Sequence, residues 1–284
     1  MSNKIRFAVT GATGFIGHAL CSELLRQGFA VHAYGRKCDF RAKPGIEYTR
    51  VKNYLEVMGT PDTVCVHLAG DNNVLAVESQ TDSALPEAVA LAKHLCTQRF
   101  ARVVFASSAA VYGDLSEAPH REDEALSVSG AYARLKYAVE EVILRKHQTV
   151  ARIANVYGLG MSETSVLSGV MRQLGQSGPV KVKCSMPVRD FIYVADVICG
   201  LICLATRSQY GIFNLGTGIG TSVANLAREL LDIAGQKKRG VCCVDHDHIR
   251  SSLILNPSKM KTCYGWSARV SLREGLKELV ASWV

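Results

Sequence analysis

The sequence predicts an α/β fold, a doubly wound parallel sheet with helices on both faces. Three observations predict it. Short apolar runs alternate with helix-period segments over the first half of the chain, and a glycine-rich turn joins the first run to the first helix. The carboxyl ends of the runs carry glycine, histidine, serine or asparagine, which a parallel sheet gathers along one edge.

Ile5 to Val9 is the first strand. Thr10-Gly11-Ala12-Thr13-Gly14-Phe15-Ile16-Gly17 follows, then a helical pattern through Leu24-Leu25 that stops at Gly28, then a second strand from Phe29 to Tyr34. Glycines at the first turn of a βαβ unit are the Rossmann-type dinucleotide arrangement. Gly11 permits the tight turn, Gly14 lets backbone approach a pyrophosphate at the helix N-terminus, and Gly17 allows close helix-on-strand packing. The second strand ends in Tyr34-Gly35-Arg36-Lys37, where an NAD site would place a carboxylate for the ribose 2′-hydroxyl. Two cations and no carboxylate predict NADP, with NAD as the alternative.

Ile46 to Lys52, behind Pro44-Gly45, reads as a strand. Alternation continues with strand Thr63 to Leu68 ending in Ala69-Gly70, a helix from about Leu85 to Gln98, strand Arg102 to Ala106, a helix containing Tyr132, and strand Val150 to Ile153. Beyond Asn155 the pattern loosens. A helix near Leu167 to Leu174, a short strand Val180 to Lys183, the run Arg189 to Asp196 with a helix to Thr206, strand Gly211 to Leu215, the loop Gly216 to Gly220 and a helix to Ala234 follow. Residues 1–155 with about 191–215 are expected to form a dinucleotide-binding Rossmann domain, and about 156–190 with 216–284 a small C-terminal substrate-binding α/β lid.

The composition, 48% hydrophobic over 284 residues, suits a packed core. The most apolar stretch, Val197 to Ala205, is about half the ~20 residues a membrane helix needs, and the N-terminus has no signal-like apolar region. A cytoplasmic protein without a membrane partner is expected. The net charge of +8 is spread along the chain, which disfavours nucleic acid and suits a polyanionic small molecule. Ten cysteines without a Cys-x-x-Cys spacing read as small buried hydrophobes in a reducing compartment. Asp245-His246-Asp247-His248 reads as a solvated loop, and no metal site is expected.

Ser129 to Glu141 carries the chemistry. On a helix, Tyr132 and Lys136 share one face, and a lysine cation beside a phenol can poise it for acid–base work. Spacing alone proves little: ten tyrosines give about half a Tyr-x-x-x-Lys match by chance. Tyr48 and Lys52 repeat the spacing, but on a strand they stand ~13 Å apart.

Taken together, the chain resembles the extended short-chain dehydrogenase/reductase family, in its NAD(P)-dependent nucleotide-sugar epimerase, dehydratase and reductase branch. The resemblance rests on Thr10 to Gly17, His67-Leu68-Ala69-Gly70, Ser107-Ser108-Ala109-Ala110-Val111-Tyr112-Gly113, Tyr132 with Lys136, Asn155-Val156-Tyr157-Gly158, Arg189 to Val194, Asn214 to Gly218 and Asn256 to Trp266, in the family's order. It implies Tyr132 as general acid/base, Lys136 as the cation lowering its pKa, and Ser108 as a donor to the reacting oxygen. It also implies dinucleotide contacts from Gly11, Thr13, Gly14, Phe15, Ile16, Gly17, Arg36, Leu68, Ala69, Gly70, Tyr132 and Lys136, and substrate contacts from Ser108, Asn155, Arg189 and Arg250. Arg189 would clamp a nucleoside diphosphate, as a guanidinium suits phosphate.

The departures narrow the reaction. Dehydratases of this branch place Asp-Glu where this chain has Ala109-Ala110, which disfavours dehydration; Asn53 replaces the acidic residue expected after the third strand, and Tyr193 replaces a histidine. The expected activity is reduction of a 4-keto nucleoside-diphosphate sugar with Tyr132 as proton donor. The alternatives are a 4-epimerase of UDP-glucose/UDP-galactose type with tightly bound NAD, and a non-catalytic dinucleotide sensor. The resemblance also implies a homodimer packed through helices near residues 86–98 and 131–147.

Overall fold

The computed structural model of the protein describes residues 5–37, 43–70, 81–245 and 251–283. They divide into two compact units. The first comprises Met1–Val111, Ala125–Ile153 and Ile198–Phe213; the second comprises Tyr112–Glu124, Ala154–Val197 and Asn214–Val284.

The first unit is built on β1 (Arg6–Thr10), α1 (Phe15–Arg26), β2 (Ala30–Gly35), β3 (Ile46–Arg50), β4 (Thr63–His67), α2 (Thr81–Thr97), β5 (Arg102–Ser108), α3 (Gly130–Arg145) and β6 (Thr149–Ile153). Its sheet has seven strands in the order β10-β6-β5-β4-β1-β2-β3, with β10 (Gly211–Leu215) beside β6. Strand order reverses between β1 and β4, the switch point at which such sheets bind ligands. The pairings from β3 across to β6 are parallel, and the register sets Thr10 opposite both Tyr34 and His67, His67 opposite Phe105, and Ser108 opposite Ile153. The functional strand ends therefore share one edge. They do so because the strands are apolar on both faces: β4 and β6 are buried along their whole length, the pattern of a sheet covered on both sides. Each fully buried Val or Phe contributes roughly 1.5–3 kcal/mol.

The second unit centres on β9 (Val188–Tyr193), which pairs in parallel with β7 (Asn155–Tyr157) and β13 (Ser252–Leu253) and antiparallel with β11 (Gly220–Ser222). A parallel pair, β8 (Val180–Val182) with β12 (Val241–Cys243), stands apart from that sheet. Helices α4 (Val166–Met171), α6 (Val223–Ile233) and α8 (Leu272–Trp283) bury Leu167, Met171, Leu226, Leu230, Leu276 and Leu279 with Tyr157 and Phe191. The chain also forms α5 (Val194–Thr206), which leads from β9 towards β10, and α7 (Ser258–Tyr264).

Three local expectations are corrected. Helix α2 begins at Thr81 and contains Pro86, where the sequence suggested a start at Leu85; proline removes one i→i−4 bond without ending the helix. Helix α4 ends at Met171 because Gln173 turns its amide onto β8, donating to Lys181 O at 2.9 Å and accepting from Lys181 N–H at 2.8 Å. Of the described cysteines only Cys21 and Cys65 are buried; Cys199, on the outer face of α5, is exposed. An apolar helix around it disguised its solvent-facing position. Among the described residues no helix is long and apolar enough to cross a membrane, and no group of three His, Cys, Asp or Glu could hold a metal. His246, Asp247 and His248 lie outside the described residues.

Candidate active site

In the first unit the glycine turn leaves no room for side chains. Gly11 has φ +71°, and a Cβ there would lie 2.7 Å from the Ala69 nitrogen; a Cβ on Gly17 would lie 2.2 Å from the Gly11 oxygen. The end of β1, the first turn of α1 and the segment after β4 thus meet backbone to backbone. Gly14 caps α1 in an extended conformation with no side-chain hydrogen bond, and no acidic residue occupies the first turn. The N–H groups of Phe15, Ile16 and Gly17 present the positive end of the helix to a site with no internal anion, which fits a dinucleotide pyrophosphate. Thr13 packs under the end of β2: a Cβ on Gly35 would lie 2.6 Å from the Thr13 methyl. Arg36 follows Gly35 and is exposed.

The segment Leu68 to Gly70 is fixed from β1. Leu68 N–H donates to Thr10 O at 3.2 Å, and Ala69 N–H reaches Thr10 Oγ1 at 3.4 Å. Thr10 Oγ1 is in turn 2.7 Å from His67 Nδ1. His67 is buried; burial, with the nearby Lys136 ammonium, pushes its imidazole down to about 3, so it is neutral.

Helix α3 presents Tyr132 half-buried and Lys136 buried. Lys136 Nζ lies 5.7 Å from the Tyr132 ring centroid and 5.1 Å from that of Phe105, and donates to Ala106 O at 3.0 Å. A Cβ on Gly70 would lie 4.0 Å from the same nitrogen. Burial lowers the Lys136 pKa to about 8, opposed by the Glu140 carboxylate, so the ammonium is charged at neutral pH but not far above it. Ser108 Oγ accepts from Ala110 N–H at 3.2 Å, which leaves its hydroxyl proton for a ligand oxygen. Glycine turn, Ser108, Tyr132 and Lys136 thus lie along one edge of one sheet. Tyr48, the decoy, sits on β3 and donates to Lys37 O at 2.6 Å.

Beneath the pair lies a network that sequence reasoning missed. Glu140, fully buried, accepts from the Ser107 hydroxyl and, at 2.7 Å, from Nη2 of the buried Arg152, whose Nε also donates to it at 3.1 Å. One carboxylate pins α3, β5 and β6 together. The legible signal was a glutamate one turn after Lys136 on the same face, and an arginine inside the apolar strand Val150 to Ile153. Asn53, where an acidic residue was expected, caps a short 3-10 turn, Tyr54–Glu56, through a capping box with Glu56.

In the second unit Asn155 is exposed and opens β7 opposite Phe191. Arg189 is half-buried. Its Nη1 donates to Val188 O at 2.9 Å and its Nη2 to Ser251 Oγ at 2.7 Å and Asp114 Oδ2 at 3.2 Å. Burial lowers its pKa, offset by Asp114. Asp190 beside it is buried and holds the glycine loop, accepting from Thr217 N–H at 3.0 Å and Gly218 N–H at 3.1 Å. Tyr193 donates to Glu278 and lies edge-on to Tyr157 with centroids 5.3 Å apart, a packing role. Arg250 lies outside the described residues.

The model of the NAD dependent epimerase/dehydratase family matches residues 7–216. The chain is 24% identical to the dTDP-4-dehydro-6-deoxyglucose reductase of Escherichia coli, over 96% of each protein. It is 27% identical to the putative UDP-glucose 4-epimerase of Methanocaldococcus jannaschii, over 97% of each. Among solved structures it is similar to an NAD-dependent NDP-hexosamine 5,6-dehydratase, TunA, with a TM-score of 0.86, 25% identity and coverage of 99% of this chain and 98% of that one. Other solved structures of this fold hold NAD or NADPH.

Proposed function

As the chain belongs to the NAD dependent epimerase/dehydratase family of extended short-chain dehydrogenases/reductases, we propose that it is an NADPH-dependent reductase of a 4-keto nucleoside-diphosphate sugar. The observation that carries this reading is Arg36, exposed at the end of β2 where NAD sites keep a carboxylate. A reductase draws on a reduced, exchangeable cofactor pool, and a 2′-phosphate is the group an arginine there accommodates. NADPH on the Gly11 turn would supply the hydride.

The chain's residues supply the rest. Reduction requires a proton at the keto oxygen, and the Tyr132 phenol is its donor. The Ser108 hydroxyl orients that oxygen, and the Lys136 ammonium, anchored on Ala106 O, stabilises the phenolate left behind. Ala109-Ala110 offer no acid or base for elimination. Arg189 binds the substrate diphosphate, with Asn155 and Arg250 as further contacts; Asp114 already shares Arg189, so the diphosphate competes with it. The protein is proposed to act in the cytoplasm as a homodimer through the faces of α2 and α3, with residues 1–155 and about 191–215 binding the dinucleotide.

The second reading is 4-epimerisation of UDP-glucose/UDP-galactose with retained NAD, which the relative from M. jannaschii favours. A dinucleotide sensor would not need Ser108, Tyr132 and Lys136. Purified protein mixed with NADPH or NADH and a 4-keto sugar nucleotide, followed at 340 nm, separates them. NADPH oxidation ahead of NADH oxidation supports the reductase. Co-purified NAD with interconversion of UDP-glucose and UDP-galactose, without net turnover, overturns it.

A further inference from the structure

We propose that a cavity at the amino-terminal ends of β1, β4 and β5 binds a small organic carboxylate through Arg102. The site lies in the first unit, at the opposite edge of the sheet from the Gly11 turn, and it does not rest on the cofactor or substrate read above.

The cavity holds about 470 Å³, within the ~300–1,000 Å³ of small-molecule sites. Ile5, Val64 and Ala205 supply apolar walls, and the hydroxyl residues Thr206 and Ser208 line it at the end of α5. Arg102 opens β5, lines the same space and is 6% exposed. Its Nη1 donates to Leu204 O at 2.8 Å and to Gln209 O at 2.9 Å, and its Cζ stands 4.6 Å from the Tyr210 ring centroid. These contacts set a cation at the C-terminus of α5, where the helix dipole favours one. They use both hydrogens of Nη1 and one face of the guanidinium. Among the described residues, Nε and Nη2 donate to no protein acceptor. Three N–H groups of a buried cation are thus left for what enters the cavity, and buried donors left unpaired are costly.

The Nε–Nη2 edge is a fork that matches the two oxygens of a carboxylate. Asp62 and Arg207, both exposed, also line the cavity, and their charges offset one another, so Arg102 sets the net charge. One positive charge beside the negative end of α5 suits a monoanion better than a phosphate dianion. Water satisfies N–H donors, but the apolar walls give it no further partners, whereas they cover the body of an organic acid. The seven residues of β5 put Arg102 about 20 Å from Ser108 at ~3.3 Å per residue, so a molecule here leaves the dinucleotide edge free.

The test is calorimetric titration of the full chain with benzoate and, separately, with inorganic phosphate, in the wild type, Arg102→Met and Ala205→Leu, with circular dichroism to check folding. Benzoate should bind the wild type at millimolar concentration or below. Arg102→Met should weaken it about 10- to 100-fold, the loss of one charge-assisted pair. Because Arg102→Met also removes the cap on α5, Ala205→Leu fills the cavity with the guanidinium left in place, and it should weaken benzoate by at least about 10-fold. A folded variant of either kind that binds benzoate within about 2-fold of wild type overturns the proposal. So does a wild type that binds no benzoate, that binds phosphate more tightly, or whose benzoate NADPH displaces.

Discussion

Replacing Glu140 with leucine tests whether the buried carboxylate holds the catalytic helix in register. Glu140 and Arg152 are 0% and 2% exposed, and the guanidinium donates twice to the carboxylate. Glu140→Leu takes the carboxylate away from the buried Arg152 guanidinium. Breaking such a pair costs about 3 to 5 kcal/mol, and for a chain of this length the thermal midpoint should fall roughly 5 to 8 °C. Removing both charges, as Glu140→Leu with Arg152→Leu, should recover most of that, because the cost lies in the orphaned ion. There is a second readout. Glu140 opposes the lowering of the Lys136 pKa, so its loss should carry that pKa further below about 8. Wild-type activity should fall as pH rises through about 8, where Lys136 loses its proton, and in Glu140→Leu that alkaline limb should move towards neutrality. Thermal scans of the intact chain and pH–rate profiles of both variants provide the measurements. A Glu140→Leu protein melting within about 2 °C of wild type, with its alkaline limb unmoved, would refute the reasoning.

Tyr132→Phe should lower kcat on a 4-keto sugar nucleotide by about 10²- to 10⁴-fold with the far-ultraviolet spectrum unchanged; full activity contradicts a proton donor at Tyr132. Gly17→Ala should abolish NADPH binding in a fluorescence titration, since its Cβ would lie 2.2 Å from a backbone oxygen that cannot move independently. His67 is neutral in the folded chain down to about 3, while the unfolded chain protonates it near 6.5. Its contribution is therefore fully present above about 6.5 and lost progressively as pH falls towards 3, by up to about 5 kcal/mol at ~1.36 per pH unit. Urea unfolding between pH 7 and 4 should show a loss of stability that His67→Asn makes shallower.

The sheet was legible because its strands are short, apolar and punctuated by glycine, serine and histidine at one end; burial on both faces writes that pattern directly into residue type. The glycine turn was legible for a related reason, since the backbone approach at Gly11 and Gly17 excludes every other residue. Helix ends were read less well. Pro86 reads as a first-turn proline and lies inside α2, and Gln173 reads as helical but spends its amide on Lys181. Such choices depend on partners distant in sequence. Glu140 and Arg152 escaped for the same reason: each is an ordinary residue until its partner is known.

Three arginines, Arg36, Arg189 and Arg250, were singled out as anion contacts, and residue type alone could not rank them; Arg250 lies outside the described residues. Arg189 has both terminal nitrogens committed, to Val188 O, Ser251 and the Asp114 carboxylate, so an incoming diphosphate must displace or share a charged partner. Part of any gain in phosphate binding there offsets the broken Asp114 pair, and Asp114→Asn should therefore tighten rather than weaken substrate binding. Arg36 is exposed at the end of β2. The difference lies not in the arginines but in their surroundings: where the partner is an acid, affinity for an incoming anion is traded against release of that partner.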